Sequence, residues 1–204
     1  MDQNQAYIQN LKLEEVPWHR ITTAYGLATD LQDELKTVEE MANRNKVKEA
    51  LSEIENFIEH QSTLWHSTPF AMIFLVRAFD KAAAEMESNQ CARYVVEELL
   101  DFFSLIAECY HDYYEEYEEE EDWETFPLFS DMLKEEFLAP EDCDEDAEEE
   151  LYETYDESPE FFSCCYYYSF QVLLTCKPIL EKLEHVSGLD KEILEKVKEL
   201  QEQL

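Results

Sequence analysis

Apolar residues recur along most of the chain at spacings of three and four, the period that places them on one side of an α-helix. The clearest case is 45–60, where they form one stripe: Val47, Ala50, Leu51, Ile54, Phe57 and Ile58. Comparable patterns predict helices at 2–12, 31–41, 70–86, 161–176 and 191–204, and a long helix from about Gln90 that presents Tyr110, Tyr113 and Tyr117 on one side. The pattern predicts an all-α protein, built either as helical hairpins stacked in a short α-solenoid or as an irregular helical bundle.

Polar residues and prolines mark where several of these helices begin. Asp30 is expected to cap the helix that follows it, because an aspartate accepts hydrogen bonds from the free amides of a first turn. Thr68-Pro69 and Ser158-Pro159 each combine a capping hydroxyl with a proline where no amide donor is needed. The helices at 45–60 and 70–86 are joined by a short turn, which predicts a helical hairpin. A further short amphipathic helix before Pro140 is indicated by Met132, Phe137 and Leu138.

The stretch 161–176 contains no charged residue, which raises the question of a membrane span. It is shorter than the roughly 20 mainly apolar residues that a spanning helix needs. It also contains two serines, three tyrosines and a glutamine. We therefore expect a helix that is buried among other helices, and no membrane association.

Composition narrows the class of protein. A chain of 204 residues with 45% hydrophobic residues can bury one core, so a single domain is expected over 1–204. Only two glycines occur, which leaves little of the turn chemistry that many strands require. Residues 1–5 lack the features of a secretory signal, which predicts a cytoplasmic protein. The six cysteines form no paired metal-binding motif and are expected to be reduced and buried.

The formal net charge of −35 is far beyond what solubility requires, which is a magnitude of about 2 to 8 for a small domain. Such a charge repels nucleic acid and opposes compaction, so it either belongs to an acid-adapted proteome or serves a cationic partner. About half of the acidic residues lie in 112–160, where Lys134 is the only lysine or arginine. This acidic region contains an aromatic-backed part at 113–124 and a second cluster at 141–150. We expect 141–157 to be mobile.

The aromatic-backed part of the acidic region is the predicted partner-binding site. Its acidic residues alternate with tyrosines and a tryptophan, which are common interface anchors. Like charges four residues apart also weaken the helix, which suggests a benefit in binding rather than in folding. The residues predicted to contact a partner are Tyr113, Glu115, Glu116, Tyr117, Glu119, Glu120, Asp122, Trp123 and Glu124. The expected partner is a basic protein, steered by the field of these carboxylates, and the alternative is a solvated surface without a partner.

Two groups of residues resemble chemical sites without completing one. The segment 142–153 has acids at calcium-loop spacing, but Ala147 stands where the loop needs glycine and Glu149 where it needs an apolar residue. The histidines and tryptophans at 18–19 and 60–66 could converge, yet no HExxH spacing, nucleophile or phosphate loop accompanies them. Their expected role is to bond buried groups of the loops. No enzymatic activity, cofactor, metal or small-molecule substrate is expected.

Two segments of the chain resemble those of a bacterial family of HEAT-repeat-like proteins. Residues 16–26, which read Val-Pro-Trp-His-Arg-Ile-Thr-Thr-Ala-Tyr-Gly, are similar to a Pro-Trp/His...Thr-Ala-Tyr-Gly segment of that family. Residues 60–75, which begin His-Gln-Ser-Thr, are similar to its His-Gln-Gly-Thr...Val-Pro-Phe-Leu segment, with Ser62 in place of the glycine. The resemblance covers about residues 10–80. It implies a HEAT-like α-solenoid that binds proteins, often as an immunity-type inhibitor of a toxin, and it implies no catalytic residue.

These observations predict a non-enzymatic inhibitor that occludes a basic protein, such as a bacterial toxin, with its acidic region. One alternative is a nucleic-acid mimic, whose carboxylates would replace phosphates on a nuclease or another DNA- or RNA-binding protein. Another is a scaffold that responds to cations through 141–153. Direct binding of nucleic acid is not expected, because the charges repel.

Overall fold

The computed structural model describes residues 3–117, 126–143, 147, 151–152, 159–186 and 189–204. It confirms the all-α prediction with helices α1 (Gln3–Asn10), α2 (Leu31–Glu40), α3 (Arg44–Ile58), α4 (Ser67–Glu85), α5 (Gln90–Tyr117), α6 (Pro159–Leu173), α7 (Lys177–Glu184) and α8 (Lys191–Gln203). Short 3-10 turns occupy Leu13–Glu15, Trp18–Arg20, Phe129–Leu133, Glu135–Phe137 and Leu174–Cys176. Apart from α7, which the apolar period did not predict, the helices lie within a few residues of their predicted positions.

Helix α4 lies at the centre of the fold and packs against α2, α5 and α6. Most of its residues are buried, because apolar side chains occur around the whole helix rather than along one stripe. Phe79 meets Phe103 of α5 with ring centroids 5.4 Å apart, and Phe70 lies 5.0 Å from Phe129. Helices α4 and α6 are far apart in sequence. Their contact is more typical of a bundle than of a solenoid, in which each unit touches its sequence neighbours.

The predicted pairing of 45–60 with 70–86 as a hairpin is wrong. Helix α3 packs mainly against α2 and only marginally against α4. It ends at Ile58, and the chain then passes through a β-hairpin before α4 begins at Ser67. That hairpin replaces the tight helical turn that was expected, so α4 can enter the core beside other helices.

Two small β-hairpins, which the helical pattern did not predict, lie next to each other. The antiparallel pairs are β1 (Thr22–Thr23) with β2 (Gly26–Leu27), and β3 (Glu59–His60) with β4 (Thr63–Leu64). The first hairpin is tied to α3 by a hydrogen bond of 2.9 Å from the amide of Ala24 to the carbonyl of Phe57. The second turns through Gln61 and Ser62, whose φ angles are 53° and 65°. This left-handed conformation costs about 1 to 2 kcal/mol for each non-glycine residue.

Two of the predicted helix caps are not formed. Asp30 precedes α2, but its backbone is itself helical and its carboxylate accepts no capping hydrogen bond. Thr68 lies inside α4, where its hydroxyl accepts from the amide of Trp65 and donates to the carbonyl of Ile58, so it joins the start of α4 to the end of α3. Asn43 caps α3 by accepting from two amides of the first turn. Helix α6 begins at the predicted proline, and the predicted cap Ser158 lies outside the described residues.

Helix α6 is the buried helix that the uncharged stretch predicts. The ring of Tyr168 stacks on Phe129 at 4.6 Å, and its hydroxyl donates to the carbonyl of Pro127. Ser169 is fully buried, and its hydroxyl donates to the carbonyl of Cys165 at 2.6 Å. The polar groups of this helix are thus bonded inside the protein. None of the described helices has the length and apolarity that a membrane crossing needs.

The short amphipathic helix expected before Pro140 is a pair of 3-10 turns. Their apolar side chains pack as predicted, since Met132 and Leu138 are buried and Phe137 stacks on α6. The segment is held by Arg20, whose Nε donates to the carbonyl of Ala139 at 2.6 Å and whose Nη2 lies 2.7 Å from Glu135. The hydrogen bond from Arg20 holds the pKa of Glu135 below its usual value.

Five of the six cysteines are buried, and Cys143 is half-buried. Burial, together with nearby carboxylates, raises the pKa of Cys109 to about 12. Burial likewise raises the pKa of Cys165 well above the ordinary value. A thiol must lose its proton to act as a nucleophile, so these two cysteines are structural.

Candidate partner-binding surface

The end of α5 is fixed to α6 by aromatic contacts. Tyr113 stacks on Tyr166, with ring centroids 4.1 Å apart and planes inclined by 14°. Its hydroxyl lies 2.8 Å from the hydroxyl of Ser163, which is buried. One turn earlier, Tyr110 stacks on Phe170 at 4.0 Å. Each aromatic pair contributes about 0.5 to 1.5 kcal/mol beyond its buried area, so the tyrosine stripe keeps the acidic end of α5 helical.

Exposed carboxylates lie on the outer side of this fixed helix. Asp112 and Glu115 are both exposed, directly beside the inward-facing Tyr113. The ring of His111 adds a further anchor, because its Nε2 lies 2.7 Å from the carbonyl of Gln203 in α8. A partner that binds these carboxylates would not have to order the backbone that carries them, which lowers the entropic cost of association.

The residues predicted to contact a partner fall into three groups. Tyr113 is half-buried and supports the helix, whereas Glu115 is exposed. Glu116 and Tyr117 belong to the last turn of α5. The remaining predicted residues lie outside the described part of the chain, namely Glu119, Glu120, Asp122, Trp123 and Glu124. Most of 141–157, expected to be mobile and to include the calcium-loop spacing, also lies outside it.

A second group of carboxylates, which no sequence pattern singled out, lies where α3 packs against α5. Glu55 of α3 is partly buried beside Glu59, Glu98 and Asp101. Burial first, and then repulsion from these three carboxylates, raises the pKa of Glu55 to about 7, from an ordinary value of 4.5. Lys196 of α8 pairs with Asp101 at 2.7 Å. The sequence indicates part of this group, because residues four apart, such as Glu55 and Glu59, are neighbours on a helix. The packing of α3 against α5 cannot be predicted from the sequence.

The two groups of carboxylates are continuous. Cys109, between them on α5, has a pKa raised by burial and then by both Glu59 and Asp112. Glu59 therefore connects the contact of α3 with α5 to the end of α5. We call this set the α3–α5 acidic surface, and it consists of Glu55, Glu59, Glu98, Asp101, Asp112 and Glu115.

Replacing Glu55 with Gln is expected to stabilise the protein at neutral and alkaline pH. Because the folded-state pKa of Glu55 is raised, the folded protein keeps a proton between pH 4.5 and about 7 that the unfolded chain has released. The contribution of Glu55 to the free energy of unfolding therefore falls over this range as the pH rises. The Glu55→Gln variant has no such fall, because Gln does not ionise. Allowing for solvent screening of a partly exposed group, Glu55→Gln should be more stable by about 1 to 2 kcal/mol at pH 8.

The measurement is urea unfolding of wild type and Glu55→Gln at pH 4, 6 and 8. The two free energies of unfolding should agree at pH 4 and diverge as the pH rises. If the difference between the two free energies of unfolding were the same at all three pH values, the pKa of Glu55 would not be raised in the folded protein. Glu53→Gln on the same helix is a suitable control, because Glu53 is exposed.

Part of the aromatic and histidine cluster bonds buried loop groups, as expected. Trp18 is buried, and its Nε1 donates to the carbonyl of Leu13 at 2.9 Å. His66 is buried, and its Nε2 donates to the carbonyl of Met132 at 2.8 Å. Burial lowers the pKa of His66 to about 3, so its ring is neutral at physiological pH. The expectation fails for Trp65, whose buried Nε1 has no hydrogen-bond partner among the described residues.

The other two histidines of this cluster, His19 and His60, lie at the surface. His19 is exposed, with its Nε2 3.1 Å from Oε2 of Glu141. His60 is half-buried, and its Nδ1 lies 3.1 Å from the hydroxyl of Tyr25, at the tip of the first hairpin. The two resembling segments therefore meet at their hairpins. Among the residues that the structure describes, no group of three or more His, Cys, Asp or Glu could hold a metal ion.

The second hairpin also adjoins the end of α5. The hydroxyl of Tyr166 donates to the carbonyl of Ser62 at 2.9 Å, while its ring stacks on Tyr113. Thus one tyrosine of α6 contacts both the turn of the hairpin and the acidic helix. The second hairpin contains Glu59 and therefore adjoins the α3–α5 acidic surface, and the first hairpin lies beside it through the contact of Tyr25 with His60.

No family model, curated protein or solved structure matches this chain. The likeness of residues 10–80 to HEAT-like proteins therefore stays a prediction.

Proposed function

We propose that this protein is a non-enzymatic binding module that holds a basic protein against its α3–α5 acidic surface and occludes part of it. The observation that carries the proposal is the rigid end of α5. There, the stack of Tyr113 on Tyr166 fixes a helix whose outer side presents Asp112 and Glu115. A fixed array of like charges is suited to a partner of opposite charge, because its field steers the encounter and fixes the orientation.

The electrostatics of Glu55 support the same proposal. Its carboxylate is partly buried among others, an arrangement that lowers stability at neutral pH. Natural proteins tolerate such local costs where function benefits. A lysine or arginine of a partner placed near Glu55 would relieve the repulsion, so part of the cost of folding would be recovered on binding.

The proposal extends to the kind of partner. The resemblance of residues 10–80 to HEAT-like bacterial proteins favours an immunity-type inhibitor, acting in the cytoplasm on a basic toxin. In this role the module needs no catalytic group, because covering the toxin's functional surface is sufficient.

Affinity capture tests the proposal with two variants of equal charge. Immobilised wild type is compared with Asp112→Asn/Glu115→Gln and with Glu181→Gln/Glu184→Gln, whose exposed carboxylates lie on α7. Each variant loses two negative charges. We expect a basic protein from the native cytosol to bind wild type and the α7 variant, and to bind the α5 variant about tenfold more weakly, as for two lost charge contacts of about 0.7 kcal/mol each. Equal retention by both variants would contradict the proposal.

A nucleic-acid mimic is the second candidate, and one feature favours it. Asp101, Glu108, Asp112 and Glu115 are exposed and follow one another along about 21 Å of α5, at 1.5 Å per residue. A mimic would compete with nucleic acid for its partner. Unrelated duplex DNA should therefore displace the captured protein from a mimic, and should leave it bound to an inhibitor of a toxin that does not act on nucleic acid.

A further inference from the structure

We propose that Tyr25 is an aromatic anchor beside the α3–α5 acidic surface and receives an arginine side chain of the basic partner. The inference rests on the proposed function and adds the chemistry of one contact. Tyr25 is 61% exposed, and no other large hydrophobic side chain is comparably exposed among the described residues. Tyrosine is one of the residue types that most often dominate binding energy at interfaces.

The ring of Tyr25 is held in place before any partner arrives. Its centroid lies 5.2 Å from that of His60 in an edge-to-face arrangement, and its hydroxyl lies 3.1 Å from Nδ1 of the same ring. The turn beneath it is closed by Thr23, whose hydroxyl accepts from the amide of Tyr25 at 3.0 Å and donates to the carbonyl of Gly26 at 2.9 Å. A side chain that is already ordered loses little entropy on binding.

The neighbouring turn carries backbone strain. Gln61 and Ser62 are exposed and both left-handed, a conformation in which glycine would avoid the steric cost. The turn is secured on two sides, because the amide of Ser62 donates to Glu59 at 2.8 Å and its carbonyl accepts from Tyr166. Strain of this kind is often retained at binding sites. Here it fixes the strand that carries His60, and thereby the ring of Tyr25.

The surroundings favour arginine over other partner groups. A guanidinium is planar and stacks on aromatic rings while its N–H groups bond carboxylates, and a lysine ammonium lacks this flat surface. Glu59 precedes His60 in β3 and belongs to the α3–α5 acidic surface, so that surface begins one residue along the strand from the histidine that contacts Tyr25. An arginine at Tyr25 would thus be continuous with cationic contacts along α5.

The test uses short oligoarginine and oligolysine peptides of equal length, with affinity measured by fluorescence anisotropy at low ionic strength. Wild type is compared with Tyr25→Ala, with Tyr25→Leu, which keeps apolar bulk, and with Tyr25→Phe, which keeps the ring. Ala and Leu should weaken oligoarginine binding about five- to tenfold, in line with a partly desolvated cation–π contact. Phe should retain it, and oligolysine binding should change about twofold or less.

Oligoarginine affinity that is equal for wild type and Tyr25→Ala would overturn the inference, and so would full retention by Tyr25→Leu. Thermal melting of each variant checks that the fold is intact. The proposed function fails separately. If wild type binds neither peptide, both proposals are wrong. If binding is lost in Asp112→Asn/Glu115→Gln but unchanged in Tyr25→Ala, only the proposed role of Tyr25 is wrong.

Discussion

Replacing Tyr113 with Ala is expected to lower the free energy of unfolding by about 2 to 3 kcal/mol and to weaken partner binding at the same time. Truncation of a fully buried aromatic residue costs about 3 to 5 kcal/mol, and Tyr113 is only half-buried, so its truncation should cost less than that. The change removes the stack on Tyr166 and the hydrogen bond with Ser163. Without them, the repulsion among the acids at the end of α5 has less to oppose it.

Tyr113→Phe separates the two contributions. It keeps the stack and removes only the hydroxyl, so it should cost about 1 kcal/mol and leave binding nearly unchanged. Urea unfolding measures the stability of both variants, and calorimetry with the captured partner measures affinity under conditions where each variant is folded. A Tyr113→Ala protein that binds as tightly as wild type would show that fixing the end of α5 does not matter for binding.

The helices could be predicted from sequence because their signal is local. In α3, spacings of three and four identify Val47, Ala50, Leu51 and Ile54 as one buried stripe, and all four are buried. The helix against which this stripe packs could not be predicted, because an apolar face does not identify the helix that it contacts. The assumption that successive helices pair therefore failed for α3 and α4.

The hairpins were missed for a different reason. Their strands are two residues long, which is too short to show an alternating pattern. The turn at Gln61 and Ser62 also lacks the glycine or asparagine that usually indicates such a hairpin. Residues 16–26 and 60–75, which contain most of the two hairpins, resemble segments of a known family. This resemblance did not predict that the segments form hairpins.

The candidate surface was predictable only in part. The tyrosine stripe indicated a packed end of α5, and the stacking of Tyr110 and Tyr113 agrees with that, whereas partner binding there stays a prediction. The roles of Glu55 and Tyr25 could not be read from the chain. Glu55 depends on the docking of α3 against α5, and Tyr25 on a contact with His60, which is 35 residues away. Such features follow from tertiary packing.

Stability and binding are linked in this account. The charges that should attract a basic protein also oppose folding at Glu55, where burial first and then repulsion from neighbouring carboxylates raise the pKa. Aromatic stacking between α5 and α6 offsets that cost locally. Neutralising Glu55 should therefore raise stability while it weakens partner binding, whereas changes to the aromatic support should lower both.

The most direct test of the central claim is the association rate with the captured partner, measured by stopped flow at increasing salt. Between about 0.01 M and about 1 M salt the Debye length falls from about 30 Å to about 3 Å, which screens long-range attraction. We expect a rate that falls at least about tenfold over this range, with a lower and flatter curve for Asp112→Asn/Glu115→Gln than for Glu181→Gln/Glu184→Gln. An association rate that is the same at low and high salt would contradict the central claim.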